Sequence, residues 1–177
     1  MAGFRKAKGE QAAIKMGVYG RPGSGKTFSS LLFAEGLAKV SGKRVAYVDT
    51  ERGTDFYAQA VPTRKVHPDA FDFDAIYTRS LTDVRRDVMK LDFDTYGVIV
   101  LDSVTHLWEA AIAAYEGKQT RIGTIPMQAW GQIKKPYKEL IAFLLSCPAH
   151  AIICGREGFE YGEDSQGELK EIGRAHV

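Results

Sequence analysis

Residues 20–27 read GRPGSGKT, and no other stretch narrows what this chain can fold into as much. Gly20, Gly25, Lys26 and Thr27 fill the fixed places of the pattern G-x-x-x-x-G-K-[ST], with a further glycine at Gly23. Glycines let a backbone turn with positive φ, so that consecutive N–H groups close on an anion. A lysine at this place reaches the β- and γ-phosphates of a nucleotide, and the hydroxyl of Thr27 suits Mg²⁺. The flanks agree. AIKMGVYG (13–20) reads as a buried strand, and residues 25–39 read as a helix whose N-terminal dipole adds to the attraction for phosphate. The expected nucleotide-binding set is therefore Gly20, Arg21, Pro22, Gly23, Ser24, Gly25, Lys26, Thr27 and Phe28.

Strand-like and helix-like runs alternate through the rest of the chain. KRVAYVDT (43–50), DAIYT (74–78), YGVIVLDS (96–103) and HAIICG (150–155) read as strands. Helical patterns occupy 25–39, 81–91, 104–116 and 130–146, the second starting at an N-cap on Ser80 or Thr82. Strands separated by helices call for right-handed crossovers and a mainly parallel sheet covered on both faces. The expected fold class is α/β, a three-layer P-loop NTPase.

A chain of 177 residues, 45% apolar and 26% charged, fits one globular core. A net charge of +2 neither demands nor forbids a nucleic acid partner. Cys147 and Cys154, with no signal peptide in view, read as reduced core thiols in a cytoplasmic protein, and no apolar run is long enough to span a membrane. The expected organisation is a basic tail at 1–12, a nucleotide-binding core at 13–156 and a polar β-hairpin at 157–171 turning near Asp164–Gly167. The last six residues, IGRAHV, are what ATCGGAAGAGCACACGTC encodes, a string found in a common sequencing adapter. Residues 172–177 are accordingly expected to be read-through rather than native sequence, with the natural chain continuing.

Hydrolysis needs more than a phosphate cradle. It needs a carboxylate for the metal and a group that orients or deprotonates water. GVIVLD (97–102) ends an apolar strand on Asp102, the expected Mg²⁺ partner of Thr27. Ser103 stands where many nucleotide hydrolases carry a second acid, so the candidate base is Glu51, just past the strand in AYVDTERG.

GRPGSGKT, YVDTERG and VIVLDSVTHL, in this order and spacing, resemble the RecA-type ATPase core. Together with the short length and ICGREGFEYGED at 153–164, they resemble short phage-encoded AAA/RecA-like ATPases, some relatives of which are implicated in recombination or single-strand annealing. The resemblance implies ATP and Mg²⁺ as ligands and Glu51 as catalytic base. It also places the AIICG strand between the MGVYG and VIVLD strands, with Arg156 close to the γ-phosphate. It further implies single-stranded DNA as a partner, a homo-oligomeric ring or filament, and a DNA-binding loop at 117–129. Where RecA-type recombinases end that strand on a polar pair such as Asn-Gln, this chain has Gly155–Arg156. Read from the residues alone, Glu51 and Arg156 have plainer roles as surface charges near Arg52 and near Glu157 or Glu160. Trp108 and Trp130 read as core, and Lys134, Lys135 and Lys138 as a solvated face or a DNA-facing stripe. Two other functions fit the motifs: a nucleotide-binding switch without turnover, and a phosphotransferase.

Overall fold

The computed structural model describes residues 13–116, 125–163 and 169–176. Its elements in chain order are β1 (Lys15–Gly20), α1 (Lys26–Ser41), β2 (Arg44–Asp49), β3 (Asp74–Tyr77), α2 (Leu81–Val88), β4 (Tyr96–Asp102), α3 (Val104–Glu116), α4 (Trp130–Ser146), β5 (His150–Glu163) and β6 (Leu169–His176).

Five strands pair in parallel in the order β1-β5-β4-β2-β3. The AIICG strand thus lies between β1 and β4, as the resemblance implied. β4 is central and buried along almost all of its length, which is why YGVIVLD is a continuous apolar run rather than an alternating one. β1 lies at the edge of the parallel sheet and alternates between more and less exposed residues. At Arg156 the parallel pairing of β5 with β1 ends, and from Glu157 onward β5 pairs antiparallel with β6. The turn expected near Asp164–Gly167 lies outside the described residues, and β6 includes residues 172–176.

Successive side chains of a strand point to opposite faces, so each strand serves two cores. Val45, Tyr47, Val98, Val100 and Ile152 face α1 and the aromatic loop residue Phe71. Val48, Ile99, Leu101 and Ala151 face α2, α3 and α4, meeting Val84, Leu107, Leu140 and Leu144. Among the described residues the result is three layers, with α1 on one face and α2, α3 and α4 on the other.

Local chemistry sets the helix ends. α1 stops at Gly42, whose φ of 68° lets its N–H close on Ala38 O at 2.8 Å. α2 starts at Ser80 rather than Thr82, the Ser80 hydroxyl accepting from the Asp83 N–H at 3.2 Å. α4 runs through Pro136, because the apolar face formed by Ile133, Leu140 and Leu144 outweighs the helical hydrogen bond that proline removes. Arg85 reaches past Asp83 and Asp87 of its own helix to Glu139 of α4, since α2 packs directly on that helix. Arg86 takes the two aspartates.

Candidate nucleotide site

The loop between β1 and α1 is exposed, and α1 begins without a side-chain cap. Its N-cap is Gly25, at φ 85°, a conformation that costs a side chain energy and a glycine little. No acidic residue lies in the first turn of α1. A helix N-terminus ordinarily gains from a nearby carboxylate; leaving this one uncapped and free of acids suits it to an external anion. Lys26 is folded back on the loop, its ammonium donating to Gly20 O at 2.9 Å and Arg21 O at 3.0 Å. Ser24 closes the loop with its N–H on Arg21 O at 3.2 Å, and Arg21 lies 3.8 Å from Glu157. Pro22 is exposed at the loop's tip. Phe28 turns away from it into an aromatic cluster, with ring centroids 5.9 Å from both Tyr57 and Phe71. The Arg64 guanidinium stands over these rings, 5.6 Å from Phe28 and 5.3 Å from Tyr57.

The strand period decides what meets the loop. Tyr47 shares a face with Val45, Asp102 with Val98 and Val100, and Arg156 with Ile152, and that face carries α1. Asp102 is buried at the end of β4, and its Oδ2 accepts from Thr27 Oγ1 at 2.6 Å and from the Tyr47 hydroxyl at 2.8 Å. The two residues expected to share a metal are therefore in direct contact. Burial, followed by the Asp102 charge, pushes the Tyr47 hydroxyl far above its ordinary range, so it remains a donor. The next residue, Ser103, follows a cis peptide bond. Its side-chain oxygen is buried without a hydrogen-bond partner among the described residues.

Glu51 sits beyond β2 in a loop organised by Asp49. The buried Asp49 carboxylate accepts from the N–H groups of Glu51 and Arg52, both at 2.7 Å, and from the N–H and hydroxyl of Thr54 at 2.9 and 2.6 Å. The Glu51 side chain does not pair with Arg52. Both of its oxygens are taken by Arg156, from Nε at 3.1 Å and Nη2 at 2.8 Å. The α1-side parity of β5 sends Arg156 across the strand ends toward Glu51. The Arg156 N–H donates to Thr105 Oγ1 at 2.9 Å.

Thr50 ties these parts together. Its N–H donates to Asp102 O at 2.8 Å, and its hydroxyl accepts from the Ser103 N–H at 2.8 Å. The same oxygen lies 2.8 Å from His106 Nδ1, which is 3.7 Å from Glu51 Oε1. Burial, then the charge of Arg156, lowers the His106 pKa and keeps the ring neutral. Sequence reasoning missed Tyr47, Asp49, Thr50, Thr105 and His106. Tyr47 and Asp49 carried a usable signal, since they alternate on the same face as the end of β2; the others are legible only once β4 and β5 lie beside β2.

Thr27 Oγ1, the Asp102 carboxylate and the orphaned Ser103 hydroxyl are hard oxygen donors, the kind that suits Mg²⁺. Among the described residues no group of three or more His, Cys, Asp or Glu side chains could hold a metal. A cation at Thr27 and Asp102 would thus complete its shell with phosphate oxygens and water, the usual arrangement for Mg²⁺ with a nucleotide.

A family model for the AAA domain (AAA_24) matches residues 12–175. The chain belongs to this AAA domain family. The fold of this AAA domain is also that of a KaiC-like protein, PH0186, from the hyperthermophilic archaeon Pyrococcus horikoshii OT3. The two share 13% identity at a TM-score of 0.50, over 93% of this chain and 82% of that one. No curated protein matches the chain. Fold and family together identify a P-loop ATPase core. Among the described residues no helix is long and apolar enough to cross a membrane.

Trp108 and Trp130 stack on each other with centroids 6.1 Å apart, and Tyr137 packs edge-on against Trp108 at 5.4 Å. Both rings are thereby used within the fold. Of the segment 117–129, residues 117–124 lie outside the described residues.

Proposed function

We propose that this AAA domain binds ATP with Mg²⁺ and hydrolyses it. The observation that carries the reading is the contact between Thr27 and Asp102, 2.6 Å apart at the mouth of an uncapped phosphate-binding helix, with a carboxylate and a guanidinium poised beside it. Lys26 leaves the carbonyls of Gly20 and Arg21 to meet the phosphates, and the loop N–H groups and α1 dipole hold them. Thr27 and Asp102 hold Mg²⁺, with Tyr47 fixing the Asp102 oxygen. When bound, the cation neutralises charge developing on the β- and γ-phosphates. Glu51 orients the attacking water and accepts its proton, and Arg156 faces the γ-phosphate.

The finer reading is that turnover serves DNA recombination or replication, with single-stranded DNA as partner and a homo-oligomer as the working form, in a phage-type ATPase acting in the cytoplasm. It rests on the resemblance to RecA-type ATPases. The exposed lysines of α4 support it: no acid among the described residues pairs with Lys134, Lys135 or Lys138. ATP rather than GTP rests on the same resemblance, since no N-K-x-D motif occurs.

The test is steady-state phosphate release from ATP, with and without single-stranded DNA, at one stated low salt concentration. Wild type is expected to turn over and Glu51→Gln to lose roughly 10²–10⁴-fold. Equal turnover by both proteins removes Glu51 as the base. Nucleotide binding with no turnover in wild type leaves a binding switch, which the engagement of Glu51 by Arg156 would suit. Stimulation by DNA supports the nucleic acid role, and indifference to DNA points to a protein partner.

A further inference from the structure

We propose that a cleft at the β2–β3 end of the sheet, lined by Arg52, Thr78 and Arg79, is a second oxyanion site that takes a single phosphate group. The cleft is separate from the phosphate loop. In the sheet β4 and β5 stand between β2 and β1, and among the described residues that line the cleft none belongs to 20–28. The inference does not depend on turnover of ATP.

The cleft has a volume of about 290 Å³ and lies beyond the C-terminal ends of β2 and β3, where Asp49 and Tyr77 stand in register. Both acids that line it are engaged. The buried Asp49 carboxylate accepts from four donors, the N–H groups of Glu51, Arg52 and Thr54 and the Thr54 hydroxyl. Glu51 places both oxygens on Arg156.

The donors of the cleft are in the opposite condition. Arg79 gives its Nε–H to Thr50 O at 2.8 Å, which lays the guanidinium across the end of β2 and leaves both Nη groups to other acceptors. Among the described residues neither Arg79 nor Arg52 pairs with an acid, and both are exposed. Thr78 Oγ1 accepts the Ser80 N–H at 3.0 Å, so its hydroxyl hydrogen remains to be given. Arg52 is also held in place. Its φ of 58° lies in the left-handed region that a β-carbon makes costly, and the Asp49 carboxylate holds its N–H at 2.7 Å. Glycine would make that turn at lower cost, so the backbone alone gives no reason for an arginine there.

Two cations on one small cleft repel each other, and a multiply charged anion between them removes that repulsion. The donor set favours phosphate over carboxylate. Two guanidinium forks and a hydroxyl are three separate donor groups, which suit a tetrahedral anion with at least three acceptor oxygens; a carboxylate offers two, in one plane. The volume falls just below the usual range for small-molecule pockets, which suits a phosphate group rather than a whole nucleotide. This chemistry is the same for free phosphate and for a backbone phosphate of a nucleic acid, and the test separates the two.

The experiment is isothermal titration of inorganic phosphate into the full chain saturated with Mg²⁺ and the imido analogue of ATP, which fills the phosphate loop, at one fixed ionic strength. Wild type should bind one phosphate. Arg79→Gln and Arg52→Gly should each weaken it by about three- to tenfold, the lower part of the range for charge-assisted bonds because both guanidinium groups are open to water. Arg86→Gln, which removes an arginine of α2 outside the cleft, should leave it unchanged. Arg52→Gly should melt close to wild type, because relief of the left-handed strain offsets the greater freedom of glycine in the unfolded chain, so its loss of binding is not a loss of fold. A short single-stranded oligonucleotide that displaces the phosphate identifies a nucleic acid backbone as the source, and one that leaves it in place identifies free phosphate. Absence of phosphate binding overturns the proposal, and so does binding that Arg79→Gln and Arg52→Gly both retain at full strength, which would mean an adventitious ion only. A wild type that does not take up the imido analogue contradicts the ATPase reading and not this one, since the dependence on Arg52 and Arg79 is read all the same.

Discussion

Tyr47→Phe removes one oxygen from the interior and leaves the ring. Tyr47 is 1% exposed, and its hydroxyl donates to Asp102 Oδ2 at 2.8 Å, so the change deletes a buried bond to a charged acceptor with little change in packing. Hydrogen bonds to charged groups contribute about 1.5–3 kcal/mol. For a chain of 177 residues, 1 kcal/mol moves the melting temperature by about 2–4 °C, so the variant should melt roughly 3–12 °C below wild type. A second consequence is functional. Residues that orient a metal-binding carboxylate are each worth about 10–100-fold in metal affinity, so the Mg²⁺ concentration needed for half-maximal phosphate release should rise by about that factor. Both effects should be constant between pH 6 and 9, because burial and the Asp102 charge keep the Tyr47 hydroxyl protonated across that range. Circular dichroism melts and a Mg²⁺ titration of phosphate release measure the two effects. A melting temperature unchanged within error and an unshifted Mg²⁺ midpoint would refute the reasoning. A lower melting temperature with an unshifted midpoint would reduce Tyr47 to a structural residue.

Lys26→Ala should weaken binding of both ADP and the triphosphate analogue and abolish turnover, in contrast to Glu51→Gln, which acts on turnover; equal loss of only one of these properties in both variants argues against the assigned roles. His106 is held neutral with its pKa below the ordinary value, so the unfolded chain takes up a proton there before the folded one does. The stability it contributes is present above the unfolded value of about 6.5 and is lost as pH falls toward the folded value. The stability of wild type relative to His106→Gln should therefore decline as pH drops from 7.5 to 5, as read by denaturant melts at each pH. The Cys154 thiol, raised by burial and then by the Asp102 charge to about 12, and the buried Cys147 should both resist a thiol reagent at pH 8 until the protein is unfolded. Fast labelling of the folded protein at either position contradicts the packing described here.

The phosphate loop was legible in the sequence because its chemistry is local. Eight consecutive residues supply the glycines, the ammonium and the hydroxyl, and the strand and helix around them are set by hydrophobic period. Asp102 was legible for a related reason: an apolar run that ends in an acid marks the end of a buried strand. Glu51 could be named as a candidate, but its partner could not. Arg156 lies 105 residues away, and Thr27 and Tyr47 lie 75 and 55 residues from Asp102.

What the sequence determined by itself was which groups could handle a phosphate, because backbone geometry and strand ends follow from neighbours along the chain. Only the tertiary structure decided how those groups meet. Placing β5 between β1 and β4, with β2 on the far side of β4, sets four strand ends in a row beside one helix N-terminus. A parallel sheet assembles strands in an order unrelated to their order in the chain. Contacts across their ends, such as the pairing of Glu51 with Arg156 and the place of Thr50 between Asp102 and His106, are therefore properties of the order and register of the sheet, and no local pattern encodes them.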